Sequence, residues 1–271
     1  EKRLEIQRKL AAIFYFNILG KKLNSISKKF IVKYRPGGII FLGNNVKNPN
    51  QLKKFITQIN ELYNRISNKK FVTTPLMAID QEGGRVRRLK KGFPKFPSAL
   101  ETAQRGASFV RQSAEITSKA LKDIGINVNF APVADVFINP QNKVIGNRAF
   151  STNQITAAQM VEIYVKEALK HGIIPCAKHF PGHGNVSQDS HSVLPIDNSN
   201  INQLLLKPFE RAIAANVPMI MTAHILFPKI DNMPATMSSK LLSLLRNKLN
   251  FNGIIVSDDL SMGALKKNYK R

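Results

Sequence analysis

The 271-residue chain contains 43% hydrophobic residues, 41 Lys and Arg against 17 Asp and Glu, and one cysteine. This length can bury an ordinary core, a single cysteine excludes an internal disulfide, and no apolar run approaches the roughly 20 residues that cross a bilayer. The net charge of +24 comes from lysines dispersed along the chain without an RNA- or DNA-binding motif, so we expect neither a nucleic-acid partner nor stable membrane insertion.

Short apolar runs alternate with amphipathic helical runs along the whole chain, a pattern typical of an α/β domain with a parallel sheet. Seven runs are short and apolar, as strands buried on both faces should be. They are Leu10–Ile18, Gly38–Leu42, Val72–Ile79, Asn127–Phe130, Ile173–Ala177, Pro218–Thr222 and Gly253–Val256.

Helix signals lie between several of these runs. Asn48 and Pro49 begin a segment with apolar residues at helical spacing, a second such stripe ends at Gly172, and Ser238 precedes a third. Seven β/α units without an internal linker predict a single domain, 1–271, with a (β/α)₈ TIM-like barrel fold. We expect its last β/α unit to be missing, which would leave two sheet edges unpaired.

Polar residues follow five of the predicted strands, where a barrel of this kind carries its chemistry. The segments concerned are 80–88, 131–148, 178–179, 223–224 and 257–259. A single Asp or Arg at such a place often caps a helix or forms a surface ion pair. Five polar segments on one rim instead favour a pocket that binds a hydroxyl-rich ligand such as a sugar.

The segment from Lys178 to His191 combines several titratable residues with prolines and glycines, so we expect a loop. His179 and His183 are then not a helical zinc pair, and no Cys or Glu adds further ligands, so we expect no metal. Asp189 and His191 are two residues apart and can form a hydrogen bond. An imidazole held by a carboxylate can give and take a proton near neutral pH.

Six motifs resemble glycoside hydrolase family 3, and specifically its bacterial NagZ-type β-N-acetylhexosaminidases. The resemblance covers most of the chain, and the Asp-Ser-His segment is its most specific part. The motifs are Pro36 to Phe41, Ile79 to Val86, Ala131 to Asp135, Lys178 to Gly184, Asp189 to His191, and Ser257 to Met262.

The resemblance implies a retaining mechanism in which Asp258 is the nucleophile and His191, paired with Asp189, is the general acid/base. It implies that Asp259 is structural. The residues that would hold the hydroxyls of a terminal N-acetylglucosamine are Asp80, Arg88, Arg148, Lys178 and His179. The cationic members of this set would also keep Asp258 ionised.

We therefore expect a cofactor-free, monomeric β-N-acetylglucosaminidase that acts on muropeptides or related oligosaccharides during cell-wall recycling. A cytoplasmic location is expected, although an upstream export signal is compatible with a sequence that begins at Glu1. Two alternatives stay open. One is another activity of the family, such as chito-oligosaccharide hydrolysis or phosphorolysis, and the other is an inactive sugar-binding protein with a truncated barrel.

Overall fold

The computed structural model describes residues 2–66 and 74–269, in which parallel strands form one curled sheet. The sheet order is β1-β2-β3-β6-β7-β8-β9, and β4 and β5 form a separate antiparallel hairpin. The strands are β1 (Tyr15–Asn17), β2 (Gly38–Phe41), β3 (Leu76–Ile79), β4 (Gln81–Gly83), β5 (Val86–Arg87), β6 (Val128–Asn129), β7 (Ile174–Phe180), β8 (Met219–Thr222) and β9 (Ile254–Ser257).

Helices precede, connect and follow the parallel strands. They are α1 (Lys2–Ala11), α2 (Ser25–Tyr34), α3 (Pro49–Ile66), α4 (Ala99–Gln104), α5 (Ala107–Asp123), α6 (Gln154–Lys170), α7 (Lys207–Ala214), α8 (Ser239–Ser243) and α9 (Gly263–Lys266). Short 3₁₀ turns cover Gly43–Asn45, Gly146–Arg148 and Ile201–Gln203, and a π-helical turn over Leu244–Lys248 continues α8. Within the described ranges, no helix is both long and apolar enough to span a membrane.

The strands of the curled sheet are mostly apolar because their two faces pack against different partners. On β2, Ile39 and Phe41 belong to the cluster that packs against the surrounding helices, with the Phe41 ring 5.7 Å from that of Phe55 on α3. Ile40 between them belongs to the cluster inside the curl. This alternation follows from the period of two along a strand.

The curl of the sheet brings its first strand close to later ones. The hydroxyl of Tyr15 on β1 lies 3.7 Å from the sulfur of Met219 on β8, and its ring lies edge-on to Phe130 with centroids 5.3 Å apart. β1 and β9 are the edge strands of the sheet in the described residues. The predicted TIM-like barrel class is confirmed, with an open ring.

The predicted helix starts are confirmed by side-chain caps. The Asn48 Oδ1 atom accepts a hydrogen bond from the Gln51 N–H at 2.9 Å, and the Ser238 Oγ atom accepts one from Leu241 N–H at 3.1 Å. Each cap satisfies a backbone donor that the first helical turn would otherwise leave free.

Three of the predicted strands have boundaries that are wrong by two residues or more. Leu10 and Ala11 are helical, because they end a segment rich in strong helix formers, and β1 begins only at Tyr15. β7 continues to Phe180, so Lys178 and His179 lie within a strand and the predicted loop begins after it. Polar residues can continue this buried strand because both are paired with carboxylates. In the third predicted strand, β3 begins only after residues 74 and 75, and residues 72 and 73 lie outside the described residues.

Candidate active site

Three parallel strands place titratable side chains at one edge of the sheet. Asp80 follows β3 directly, Lys178 and His179 lie near the end of β7, and Asp258 follows β9. Because β3, β6, β7, β8 and β9 are neighbouring parallel strands, their carboxyl ends lie at the same rim.

Lys178 is the centre of a buried ion network. Its Nζ atom lies 2.7 Å from Glu82 Oε1 and 3.0 Å from Asp80 Oδ1, and only 3% of its side chain is exposed. Arg88 contacts the second Asp80 oxygen at 3.0 Å. Arg148, on a 3₁₀ turn, donates two hydrogen bonds of 2.8 Å to Glu82. This bidentate geometry fixes both the guanidinium and the carboxylate.

The network keeps its members charged despite their burial. Burial by itself would raise the pKa of Asp80, but the charges of Lys178 and Arg88 outweigh it and the pKa lies below its ordinary value. The pKa of Glu82 is likewise lowered, since Lys178 and Arg148 outweigh burial. Burial would lower the pKa of Lys178, but the two carboxylates raise it overall.

His179 is held by a second carboxylate, Asp135. The Asp135 side chain is fully buried; its Oδ2 atom lies 2.7 Å from His179 Nδ1, and its Oδ1 atom accepts the backbone N–H of His183 at 2.7 Å. Burial lowers the pKa of His183 to about 4, so its ring is neutral near neutral pH. The acceptor Asp135 fixes the orientation of the His179 ring.

Asp189 and His191 form the pair that their spacing predicts. His191 Nδ1 lies 2.7 Å from Asp189 Oδ1, which also accepts the His191 backbone N–H at 2.9 Å. Both side chains face solvent, with 49% of Asp189 and 68% of His191 exposed. Partial burial would raise the pKa of Asp189, but its hydrogen bonds from His191 lower it overall, so the carboxylate is ionised at neutral pH.

The two adjacent aspartates at the end of β9 have different surroundings. Asp258 is half-buried, its N–H reaches the Thr222 carbonyl at 3.4 Å, and its Oδ1 atom accepts from Asp259 N–H at 2.8 Å. Asp259 is exposed and accepts both the N–H and the hydroxyl of Ser261, at 2.8 and 2.7 Å. Asp259 thus stabilises the turn before α9.

The structure groups four of the predicted sugar-binding residues in one network: Asp80, Arg88, Arg148 and Lys178. In the described part of the chain, no hydrogen bond or ion pair joins Asp258 to these cations or to the Asp189–His191 pair. We expected these cations to keep Asp258 ionised, but they do not contact its carboxylate. They are paired with the carboxylates of Glu82 and Asp80 instead.

Sequence reasoning did not select Glu82, Asp135 or His183. Asp135 ends a quoted motif and directly follows a buried apolar run, whereas Glu82 lies in the polar segment that follows β3. The signal for Asp135 was a carboxylate at the end of an apolar segment, where a buried charge requires a cationic or hydrogen-bonding partner.

One group of potential metal donors is found in the described ranges, on the outer helices. Donor atoms of Glu115, Glu167 and His171 lie within 4.8 Å of one another. Lys119 contacts Glu115 at 2.5 Å, and Lys170 contacts Glu167 at 3.3 Å. These cations compensate the carboxylates, so we interpret the group as an ion network between α5 and α6.

The sequence of the chain is similar to those of known glycoside hydrolases. The model of the glycosyl hydrolase family 3 N-terminal domain matches residues 5–271. A beta-hexosaminidase of Methylococcus capsulatus is 34% identical over 257 residues, covering 92% of this chain and 74% of the relative. Beta-hexosaminidase A of Pseudoalteromonas piscicida is 38% identical, covering 88% of this chain and 43% of the relative.

Two solved structures have the same fold. A family 3 β-N-acetylglucosaminidase from Paenibacillus sp. str. FPU-7 superposes with a TM-score of 0.91 and 34% identity, covering 97% of this chain and 51% of that one. NagZ from Neisseria gonorrhoeae, in complex with N-trifluoroacetyl-D-glucosamine, superposes with a TM-score of 0.83 and 32% identity. The present chain covers 75% of NagZ. It therefore spans about half the length of the first of these proteins and three quarters of the second.

Proposed function

This chain belongs to glycosyl hydrolase family 3, and we propose that it is a retaining β-N-acetylglucosaminidase that removes terminal β-linked N-acetylglucosamine from an oligosaccharide. The observation that carries this proposal is the 2.7 Å contact between Asp189 and His191, in a loop whose backbone is hydrogen-bonded to the segment that follows Asp258. A carboxylate nucleophile and a carboxylate-held imidazole together supply the two functions that a retaining glycosidase needs.

Asp258 is the proposed nucleophile. Its oxygen attacks the anomeric carbon and forms a glycosyl-enzyme bond, while the bond from that carbon to the leaving oxygen breaks. His191 gives its proton to the departing oxygen. In the second step, His191 takes a proton from water, the water oxygen attacks the same carbon, and the Asp258 carboxylate is released with overall retention.

Asp189 assists the proton transfers through the other ring nitrogen. Its ionised carboxylate engages His191 Nδ1, which leaves Nε2 as the nitrogen that exchanges a proton with the substrate. The high exposure of the His191 side chain allows the ring to reach a bound glycoside.

The buried network is the proposed sugar-binding part of the site. Asp80 accepts hydrogen bonds, and Arg88, Arg148 and Lys178 donate them, so both kinds of partner are available for sugar hydroxyls. His179, fixed by Asp135, adds a further donor or acceptor. Fixed side chains lose little conformational entropy when the sugar binds.

Peptidoglycan fragments are the proposed natural substrate, with a role in cell-wall recycling in the cytoplasm. This part rests on the likeness to NagZ-type enzymes. We expect the aglycone contacts that would distinguish a muropeptide to come from loops, because loops commonly carry binding residues.

The test is hydrolysis of a chromogenic β-N-acetylglucosaminide, with the configuration of the first-formed product read by NMR. We expect the β-anomer of N-acetylglucosamine without phosphate. Formation of a sugar 1-phosphate that requires added phosphate would indicate a phosphorylase instead. Binding of N-acetylglucosamine without turnover of any substrate would indicate a sugar-binding protein.

A further inference from the structure

The residue between the two members of the dyad is buried although both neighbours are exposed. Ser190 is 3% exposed, whereas the side chains of Asp189 and His191 are 49% and 68% exposed. The Oγ atom of Ser190 lies 3.3 Å from Nε2 of His183, whose own exposure is 3%. A buried contact between a serine and an imidazole therefore holds the middle of an exposed segment.

His183 is itself held in place by several contacts. Asp135 Oδ1 accepts its backbone N–H at 2.7 Å, and its carbonyl accepts a hydrogen bond from the Asn142 amide at 2.6 Å. Its ring packs edge-on to His179, with ring centroids 5.9 Å apart. A neutral ring in this position can share one hydrogen bond with a hydroxyl group at neutral pH.

The same loop is held on its other side by the segment that follows the nucleophile. The backbone N–H of Gly263 donates to the His191 carbonyl at 2.9 Å, and that of Ala264 donates to the Ser190 carbonyl at 3.1 Å. Ser190 is thus contacted both by His183 and by α9, the helix that begins a few residues after Asp258. Displacement of Ser190 would disturb both contacts.

We propose that His183 is a positioning residue for proton transfer: through Ser190 it holds the Asp189–His191 dyad in place relative to the segment that carries Asp258. This inference rests on the proposed function. Asp189 and His191 contact each other locally, so they would stay paired without the anchor, but the pair would no longer be fixed relative to the nucleophile. The sugar-binding network around Lys178 does not include Ser190, so sugar binding should be spared.

Kinetics of Ser190→Ala and His183→Gln test the proposal, with Ser192→Ala as the matched control. Ser192 is on the same loop, but its side chain is exposed and forms no hydrogen bond among the described residues. Only its backbone is engaged: its N–H donates to the Asp189 carbonyl at 3.0 Å, and its carbonyl accepts from Lys267 at 2.9 Å. For a glycoside with a poor leaving group, we expect kcat/KM to fall about tenfold in Ser190→Ala, the factor that one ordinary hydrogen bond supplies. For an activated aryl glycoside, we expect less than a twofold loss, with KM unchanged.

The conservative His183→Gln variant can still offer an amide to Ser190 and should lose less activity than Ser190→Ala. The double variant should be no worse than Ser190→Ala alone, because without the Ser190 hydroxyl the residue at position 183 has no contact left to lose. Equal losses on poor and activated leaving groups, or additive losses in the double variant, would overturn the assignment. Thermal melts of all variants identify any that have merely unfolded.

Hydrogen exchange at Gly263 and Ala264 gives a second readout that requires no activity. Their N–H groups donate to the loop carbonyls, so release of Ser190 should speed their exchange about tenfold in Ser190→Ala and leave it unchanged in Ser192→Ala. Unchanged exchange in Ser190→Ala would refute the anchor. If the wild-type chain is inactive but Ser190→Ala still speeds exchange at these two N–H groups, the proposed function is wrong and the anchoring contact is still supported.

Discussion

Replacement of Glu82 by Gln should destabilise the fold more than any exposed ion-pair substitution. The Glu82 side chain is 5% exposed and pairs with both Lys178 and Arg148. The side chains of these two cations are 3% and 12% exposed. When Glu82 loses its charge, the network keeps three cations, Lys178, Arg148 and Arg88. Asp80 is then the one carboxylate left in the network to compensate them. Breaking a buried pair by removing one partner costs about 3–5 kcal/mol, and the retained amide oxygen of Gln favours the lower end.

The pH dependence has a definite sign. Because the pKa values of Glu82 and Asp80 in the folded protein lie below their ordinary values, their stabilisation is fully present above the unfolded carboxyl pKa of about 4.3. It is lost as the pH falls through the folded values. The difference in stability between wild type and Glu82→Gln should therefore be largest near neutral pH and should narrow on acidification below about pH 4.

Urea unfolding followed by circular dichroism measures this difference, with Glu210→Gln as the control. Glu210 pairs with Lys207 on α7 at 2.7 Å, but both side chains are well exposed, so its loss should cost about 0.5 kcal/mol or less. A loss of about 3 kcal/mol corresponds to a fall in Tm of roughly 6–12 °C for a chain of this size. Equal effects of the two substitutions, or a difference independent of pH, would refute the argument.

Three further predictions concern the chemistry. Asp258→Ala should abolish hydrolysis, whereas Asp259→Ala should leave a folded, partly active enzyme. Turnover of an aryl glycoside measures both effects, and a fluorinated sugar that traps the intermediate should label Asp258. Equal and total losses in the two variants would contradict the assignment. His191→Ala should slow substrates with poor leaving groups far more than activated ones, and added azide should restore the second step and give a β-glycosyl azide. Asp189→Asn should show the same leaving-group dependence in milder form, measured as kcat/KM across aryl leaving groups, because it removes the charge but keeps the imidazole.

Most of the fold could be predicted from the sequence because the central strands of the sheet are buried on both faces. Runs such as Gly38–Leu42 have no polar residue to place toward solvent, and helix starts such as Asn48 carry their own caps. The first strand was harder, since a short apolar run is compatible with both a helix and a strand. Lys2–Ala11 forms a helix, and only Tyr15–Asn17 pairs with the sheet.

The candidate site could be predicted only in part, because sequence order shows which residues follow strands but not which of them touch. The pair Asp189 and His191 is local, so its spacing predicts the contact that the structure contains. The partner of Lys178 is not local: Glu82 and Asp80 lie almost a hundred residues earlier and reach it through the register of the sheet. Burial of Lys178 within β7, rather than in a loop, could not be inferred without those partners.

The division between strand and loop also determines which properties each substitution should change. Asp80 and Lys178 are placed by parallel strands whose register fixes their backbones, so their side chains serve binding and stability together. No strand register fixes the dyad, because His191 lies in the loop between β7 and α7. Its position must come from side-chain and backbone contacts such as those of Ser190. Changes in the network should therefore alter stability and sugar affinity at once, whereas changes in the loop anchor should alter proton transfer while the fold persists.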